Sequence, residues 1–164
     1  MLSKRLQDVI NEQINAEFAS AYSYLAMGAH FETVHLPGFA RWMRMQYEEE
    51  LSHGLKLFDY LNDRGGSVTL QAIEQPAGKF KSPLEVFQRV QKHEAKVTGM
   101  VDRLYELAQK ENDHATEVEM HWFIKEQVEE EKAVQGILEH LKLIGDHGVS
   151  MLMLDRQLGA RNSK

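Results

Sequence analysis

Six polar side chains interrupt the apolar stripes of this sequence at positions where a helix would face a protein core. Two of the helical segments carry such residues in pairs three positions apart, a spacing that puts both side chains on one face of a helix. Two further segments carry a single glutamate each. Every one of the six lies near the middle of its segment, so all of them fall at about one height in a bundle of long helices. They are Glu17, Glu50, His53, Glu94, Gln127 and Glu130.

Four carboxylates, one imidazole and one amide at one level of an apolar interior indicate a metal site. Burying ionised carboxylates without partners is strongly unfavourable, and mutual repulsion would drive some of them to take up protons. No lysine or arginine occupies these stripes at the same height. Two divalent cations would cancel the four charges, and His53 would bind as a neutral imidazole. Oxygen and nitrogen donors without thiolates suit iron or manganese and also admit zinc.

Each of these residues has a less specific interpretation when it is taken alone. A single glutamate on a core stripe is often a boundary residue whose carboxylate reaches solvent, and Glu50-x-x-His53 by itself is a frequent chance pattern. Four glutamates at one level on four helices are not explained in that way. The other seven histidines are interpreted as surface or internally bonded residues. His93, for example, adjoins Glu94 but points about 100° away around the helix.

Apolar residues at alternating steps of three and four predict long amphipathic helices that pack at a shallow angle. Ser3 is the predicted N-cap of the first helix. Ser82 followed by Pro83 predicts the start of the third helix, and Gly65 predicts the end of the second. The predicted helices cover about residues 4–34, 38–64, 83–110, 114–144 and 147–159.

The connection lengths predict an all-α, four-helix bundle in a single domain spanning residues 1–164, with one long crossover and a short fifth helix. The first and third connections are short, so helices one and two, and helices three and four, are predicted to be antiparallel neighbours. The crossover, 65–81, has about 17 residues and reaches roughly 56 Å when extended. A helix of about 30 residues spans roughly 45 Å. The crossover can therefore pass along the whole bundle and leave helices two and three parallel.

The composition restricts the classes of function. The chain has 25 acidic and 19 basic residues and a formal net charge of −6, which argues against nucleic acid or an anionic membrane surface as a partner. Because the sequence contains no cysteine, disulfides, thiolate zinc sites and cysteine-ligated iron–sulfur clusters are excluded. No apolar run approaches the roughly 20 residues that a membrane span needs, and residues 1–8 do not form an apolar signal core. A cytoplasmic protein is expected.

With these residues identified, the chain resembles the ferritin-like di-iron carboxylate family. One glutamate from each of two helices and a Glu-x-x-His motif on each of the other two are the pattern of that family. Here the fourth helix carries Gln127-x-x-Glu130 instead, which is similar to non-haem ferritins rather than to bacterioferritins, rubrerythrins or di-iron oxygenases. Leu51 also differs from the methionine with which bacterioferritins hold haem, so no haem is expected.

The resemblance implies a ligand set for two iron ions. Glu17 and His53 would bind the first iron. Glu94 and Glu130 would bind the second, and Glu50 would bridge the pair.

The resemblance also implies roles for residues around this pair. Gln127 would line the position where dioxygen meets the irons, and Tyr24 would be an electron donor beside the centre. Glu49, Glu126 and Glu129 resemble a third iron site of bacterial ferritins, on the path to the cavity. The less specific alternative for these last three is a solvated acidic face, because two of them lie in runs of consecutive glutamates.

By the same resemblance, the expected function is iron storage and detoxification. Fe(II) would be oxidised to Fe(III) by dioxygen or hydrogen peroxide at a di-iron ferroxidase centre, and the ferric product would be deposited inside a 24-subunit homo-oligomeric shell. Fifth helices would meet at four-fold axes, and residues 68–73 would pair across a two-fold axis. One alternative is a non-storage di-iron enzyme such as a peroxidase or oxidase. The other is a structural bundle whose polar layer only fixes helix register.

Overall fold

The computed structural model describes residues 2–161 of the chain and consists of α-helices joined by irregular segments. Within that range there is no β-strand, and the predicted all-α, four-helix-bundle class with a short fifth helix is confirmed. The helices are α1 (Lys4–Thr33), α2 (Pro37–Asp63), α3 (Pro83–Glu111), α4 (His114–Ile144) and α5 (Gly148–Gly159).

Capping residues explain why these helices begin and end where they do. Ser3 Oγ accepts a hydrogen bond of 3.0 Å from the Leu6 N–H, which confirms the predicted cap of α1. Ser82 makes the same contact with the N–H of Glu85 at the start of α3, at 3.2 Å. Each hydroxyl replaces an intrahelical partner that the first turn lacks. After α2, Gly65 has φ +71°, a left-handed conformation that glycine adopts without steric cost.

Contacts between side chains give the directions of the helices. Ser3 at the start of α1 donates to Glu111 at the end of α3, and Tyr24 farther along α1 donates to Glu94 nearer the start of α3. These two helices are therefore antiparallel. The helices α1 and α2 pack along each other and are joined only by residues 34–36, so they also run in opposite directions. It follows that α2 and α3 are parallel, as the long crossover predicts.

The crossover between α2 and α3 is held on α1 by a ladder of side-chain hydrogen bonds. Asn11 donates to the carbonyl oxygen of Ser67 at 2.9 Å and accepts from the Thr69 N–H at 2.7 Å. Asn15, one helical turn later, makes the same pair of bonds two residues farther along the crossover. A single amide supplies both a donor and an acceptor. The asparagines therefore satisfy the crossover backbone in the way that a neighbouring strand would.

The helix α5 is fixed against the start of α2 by two close contacts. The carboxylate of Asp155 accepts a hydrogen bond of 2.9 Å from the Phe39 N–H. It thereby caps the first turn of α2, where the N-cap residue Leu36 has no polar side chain. Gly38 lies so close to α5 that an added Cβ would be 1.7 Å from the carbonyl oxygen of Asp155. The absence of a side chain at Gly38 is what allows the two helices to approach this closely.

Two apolar clusters fill the bundle on either side of its middle. One joins the end of α1 to the starts of α2 and α3, the end of α4 and the inner face of α5, and it contains Phe31, Phe39 and Phe87. The other joins the opposite ends of the four long helices and contains Leu6 and Leu104. Burial of each such side chain contributes about 1.5–3 kcal/mol. The clusters therefore stabilise the bundle around the polar layer between them.

The helix α5 has one buried face and one exposed face. Leu154 and Leu158 are buried against the first apolar cluster, whereas Val149, Leu152 and Met153 are each more than half exposed. Along the described part of the chain, no helix combines the length and the apolarity that crossing a membrane requires.

Replacing Asp155 with alanine is expected to lower the free energy of unfolding by about 1–3 kcal/mol, because the buried Phe39 N–H loses its acceptor. Asp146 is exposed in the link before α5, so Asp146→Ala is a control for the loss of an acidic residue. Urea denaturation of the two variants and the parent chain at one pH measures the effect. Equal midpoints for both variants would contradict the capping role of Asp155.

Candidate metal centre

The six polar residues of the core stripes are buried together at mid-height in the bundle, between the two apolar clusters. None of them exposes more than 5% of its surface. At that level of burial they do not reach solvent as boundary residues do, so each must be satisfied by a partner, a proton or a cation. They are Glu17, Glu50, His53, Glu94, Gln127 and Glu130.

Three of these residues form a compact set of metal-ligand atoms. Glu17, Glu50 and His53 each offer one such atom within 4.8 Å of the others, and Nδ1 of His53 lies 3.7 Å from Oε2 of Glu50. Gln13 donates to Oε1 of Glu17 at 2.6 Å. Apart from a proton that the two carboxyl groups can share, no donor among residues 2–161 reaches Oε2 of Glu17 or Oε2 of Glu50. These buried oxygens fit a cation, with bonds of about 2 Å.

The carboxylate of Glu94 is held from two sides by other polar side chains. The Tyr24 hydroxyl donates to Oε1 of Glu94, and Nε2 of Gln127 lies 3.3 Å from Oε2. The same Gln127 nitrogen lies 3.2 Å from the hydroxyl oxygen of Thr98. Tyr24 and Gln127, both predicted to lie beside the centre, thus contact the same carboxylate.

The carboxylate of Glu130 is oriented by a glutamine of α2. Gln46 Nε2 donates to Oε2 of Glu130 at 2.8 Å. The charges of Glu130 and Glu94 both act on Glu50, so the carboxylates of four helices share one electrostatic environment. Gln46 and Gln13 lie on the core stripes as well, and that position is the sequence signal from which their orienting roles could have been predicted.

The three residues assigned to an outer metal site are less buried. Glu49 and Glu126 are half-buried and Glu129 is exposed. Within residues 2–161, the only group of three or more acidic or histidine residues whose ligand atoms lie within 4.8 Å of one another is the buried set of Glu17, Glu50 and His53. The third site therefore stays a prediction.

An arginine outside the core stripes contacts one of these outer residues. Arg161, two residues after α5, places Nη2 2.9 Å from both carboxylate oxygens of Glu49. It also donates to Oε1 of Gln46. The stripes of the four long helices gave no signal for this contact, because Arg161 lies outside them.

The electrostatics of the centre favour protonated carboxyl groups when no cation is bound. Burial raises the pKa of Glu17 well above its ordinary value, and the charge of Glu50 raises it further. Burial also raises the pKa of Glu50, to about 8, although a hydrogen bond from Glu17 lowers it. The pKa of Tyr24 is raised by burial and then by the charge of Glu94, so its phenol stays protonated at neutral pH.

Aromatic rings fix the position of the His53 imidazole. The Trp122 ring meets it edge-on with centroids 5.2 Å apart, and the Phe123 ring lies at 6.2 Å. Lys56 covers Trp122, with Nζ 5.1 Å from the ring centroid, and pairs with Glu119 at 3.0 Å. These contacts restrict rotation of the imidazole, which favours a preformed ligand geometry.

Cation binding at Glu17 and Glu50 is expected to release about one proton or more per chain at pH 7. Their raised pKa values mean that protons compete with the cation, so affinity should fall as the pH drops below the pKa of Glu50, about 8. Calorimetric titration of metal-free protein with Zn(II) in buffers of different ionisation enthalpy measures the proton count. A heat that is independent of the buffer would contradict these pKa directions.

Comparison with known protein families agrees with this geometry. A family model described as the ferritin-like domain matches residues 7–144. The bacterial non-heme ferritin of Bacteroides fragilis strain 638R is 42% identical over 161 residues, which cover 98% of this chain and 100% of that protein. The bacterial non-heme ferritin of Staphylococcus haemolyticus is 39% identical over 162 residues, which cover 99% of this chain and 98% of that protein.

Solved structures give the same result. The open pore ferritin of the hyperthermophilic archaeon Archaeoglobus fulgidus superimposes with a TM-score of 0.98 at 43% identity, covering 99% of this chain and 100% of that one. A closed form of the same ferritin, engineered by site-directed mutagenesis, gives a TM-score of 0.97 at 43% identity and covers both chains fully. With the family model matched across all four long helices and the relatives matched end to end, this chain belongs to the ferritin family.

Proposed function

We propose that this chain is an iron-storage subunit with ferroxidase activity, which oxidises Fe(II) to Fe(III) at the buried centre and deposits the product inside a shell. Family membership and the ferritin structural neighbours support iron storage. The observation that carries the ferroxidase part is the group formed by Glu17, Glu50 and His53, whose ligand atoms converge in the core. Apart from a proton shared between Glu17 and Glu50, no donor among residues 2–161 reaches one oxygen of each of these carboxylates.

The ligand arrangement we propose uses all four buried carboxylates. Glu17 and His53 bind the first Fe(II), and Glu94 and Glu130 bind the second. Glu50 bridges the two ions. This is supported by its position beside Glu17 and His53 and by the effect of the charges of Glu94 and Glu130 on its pKa. Two Fe(II) ions carry four positive charges, which cancel the four carboxylates and replace the protons that burial otherwise imposes.

The redox step we propose balances with dioxygen as the oxidant. Each Fe(II) gives up one electron, dioxygen takes both electrons with two protons, and hydrogen peroxide leaves. Hydrogen peroxide can serve as the oxidant in the same way and is reduced to water. Carboxylate oxygens favour the harder Fe(III) product. Gln127 lies beside Glu94, a position consistent with lining the place where the oxidant meets the second iron.

Tyr24 is the residue we propose as an auxiliary electron donor. Its ring is fully buried, and its hydroxyl donates to Glu94. A phenol bonded to a carboxylate can lose an electron while its proton moves to that carboxylate. This geometry couples Tyr24 to the ligand of the second iron.

Storage requires a cavity, which we propose is formed by a homo-oligomeric shell of 24 subunits. The exposed apolar residues Val149, Leu152 and Met153 of α5 support burial of that helix against neighbouring subunits. Glu49, Glu126 and Glu129 would form the third iron site through which product moves to the cavity. Subunits that stay monomeric at physiological salt would contradict storage.

The experiment that tests the function is aerobic titration of the metal-free protein with Fe(II), following oxidation and protein-bound iron together. Storage predicts fast oxidation and bound iron far beyond two or three atoms per chain. Uptake that stops at that stoichiometry would instead indicate a di-iron oxidase or peroxidase that does not store metal.

Replacing Glu50 with glutamine is expected to slow the initial rate of Fe(II) oxidation by about 100-fold or more, because the bridging carboxylate is lost while the side-chain volume is kept. Glu48 is exposed on the same helix, so Glu48→Gln removes one nearby charge without changing the centre. Stopped-flow absorbance of both variants gives the comparison. An unchanged rate in Glu50→Gln would remove the bridging assignment.

Replacing Tyr24 with phenylalanine should preserve Fe(II) binding and slow oxidation by about tenfold, because Glu94 loses its hydroxyl donor and the centre loses an oxidisable ring. Tyr22 is 49% exposed on the same helix, and Tyr22→Phe is the matched control. Binding is measured anaerobically and oxidation by stopped flow. Oxidation traces identical to those of the parent chain would show that Tyr24 has no part in the reaction.

A further inference from the structure

The side chain of Arg161, in the segment after α5, contacts Glu49 of α2, the neighbour of Glu50 in the sequence. Its Nη2 donates to both carboxylate oxygens of Glu49, each at 2.9 Å, and its guanidinium lies 5.4 Å from the ring centroid of Trp42. The two charged side chains are only 22% and 15% exposed. A charge-assisted pair shielded to this degree is stronger than an ordinary surface ion pair.

A second hydrogen bond from the same guanidinium connects Arg161 through Gln46 to Glu130. Arg161 Nη1 donates to Oε1 of Gln46, and Nε2 of Gln46 donates to Oε2 of Glu130. The orientation of this amide follows from its partners, because a guanidinium only donates and a carboxylate only accepts. Arg161 therefore sets which end of the Gln46 amide faces Glu130, one of the proposed iron ligands.

The position of Arg161 is fixed by the docking of α5. Asp155 caps α2 through the Phe39 N–H, and a Cβ added to Gly159 would lie 3.1 Å from Cα of Gly38. The last turn of α5 is thus packed directly on the start of α2. Because Glu49 lies three turns farther along α2, the segment that follows α5 delivers the guanidinium to the side of that helix.

We infer that Arg161 is a cationic latch on Glu49, which a metal ion must displace before that carboxylate can become its ligand. This inference rests on the proposed function and adds a positioning residue to it. Both oxygens of Glu49 are engaged by the guanidinium, so a cation approaching Glu49 must break two charge-assisted hydrogen bonds. It would also be repelled by the positive charge of Arg161.

Displacement of the latch links the outer carboxylate to the inner pair of ions. Once Arg161 leaves, the oxygen of the Gln46 amide has lost its donor, and the amide is free to rotate away from Glu130. Arrival of an ion at Glu49 thereby loosens a ligand of the second inner ion. This coupling favours transfer of metal outward, from the inner site at Glu130 towards Glu49.

The test is calorimetric titration of the metal-free, assembled protein with Zn(II), which does not undergo oxidation. In the parent chain, two ions should bind at the inner pair and a third more weakly. Arg161→Gln should tighten the third step by about tenfold, which corresponds to about 1.4 kcal/mol. Arg161→Lys, which keeps the charge but not the paired hydrogen bonds, should tighten it by less. Arg156 is exposed on α5, and Arg156→Gln should leave every step unchanged.

The outcomes separate the latch from the proposed function. Adding Glu49→Gln to Arg161→Gln should abolish the tightened third step, which attributes that step to Glu49. Inner binding that stays intact while neither variant of Arg161 changes the third step would overturn the latch alone. A parent chain that binds no Zn(II) and no Fe(II) at the inner pair would overturn the proposed function. If Arg161→Gln does not fold, Arg161→Lys still decides, since an affinity equal to that of the parent chain rejects the latch.

Discussion

Burial of four carboxylates at one level of the bundle is the constraint on which the rest of the structure depends. Glu17, Glu50, Glu94 and Glu130 expose at most 2% of their surfaces, and their ionised forms are strongly disfavoured in an apolar interior. The apolar clusters above and below supply the stability that allows such a layer. Long helices follow from the same constraint, because a polar layer at mid-height needs apolar packing on both sides.

The polar donors around the layer are unevenly distributed. Glu94 receives hydrogen bonds from Tyr24 and Gln127 on its two oxygens. Glu17 and Glu50, by contrast, each keep one oxygen that no donor reaches within the described part of the chain, apart from a proton shared between them. The side of the layer with Glu17 and Glu50 is therefore open to a cation as it stands, whereas binding at Glu94 requires its existing hydrogen bonds to rearrange. Under the proposed ligand arrangement, this difference favours binding of the first ion at Glu17 and Glu50.

Sequence periodicity was enough to predict the fold class and the burial of the polar layer, because helical spacing is a local property. The caps at Ser3 and Ser82 were predictable for the same reason. Contacts between distant segments were not. Asp155 caps a helix 116 residues away, and the bond from Asn11 to the crossover spans 56 residues, so neither has a signature in local spacing. The pair of Arg161 and Glu49 belongs to this second class.

The helix α5 has an outer face suited to assembly and an inner face that contacts α2 near the candidate metal centre. Its outer face carries exposed apolar residues suited to a neighbouring subunit, and its inner face places Asp155 on α2. Arg161 follows directly and contacts Glu49 and Gln46. A shift of α5 relative to α2 would move Arg161 relative to Glu49, because Arg161 lies two residues after α5 and Glu49 lies on α2. The orientation of α5 therefore determines whether the Arg161 guanidinium contacts Glu49. A substitution that reorients α5 should also change the proposed binding of a metal ion at Glu49.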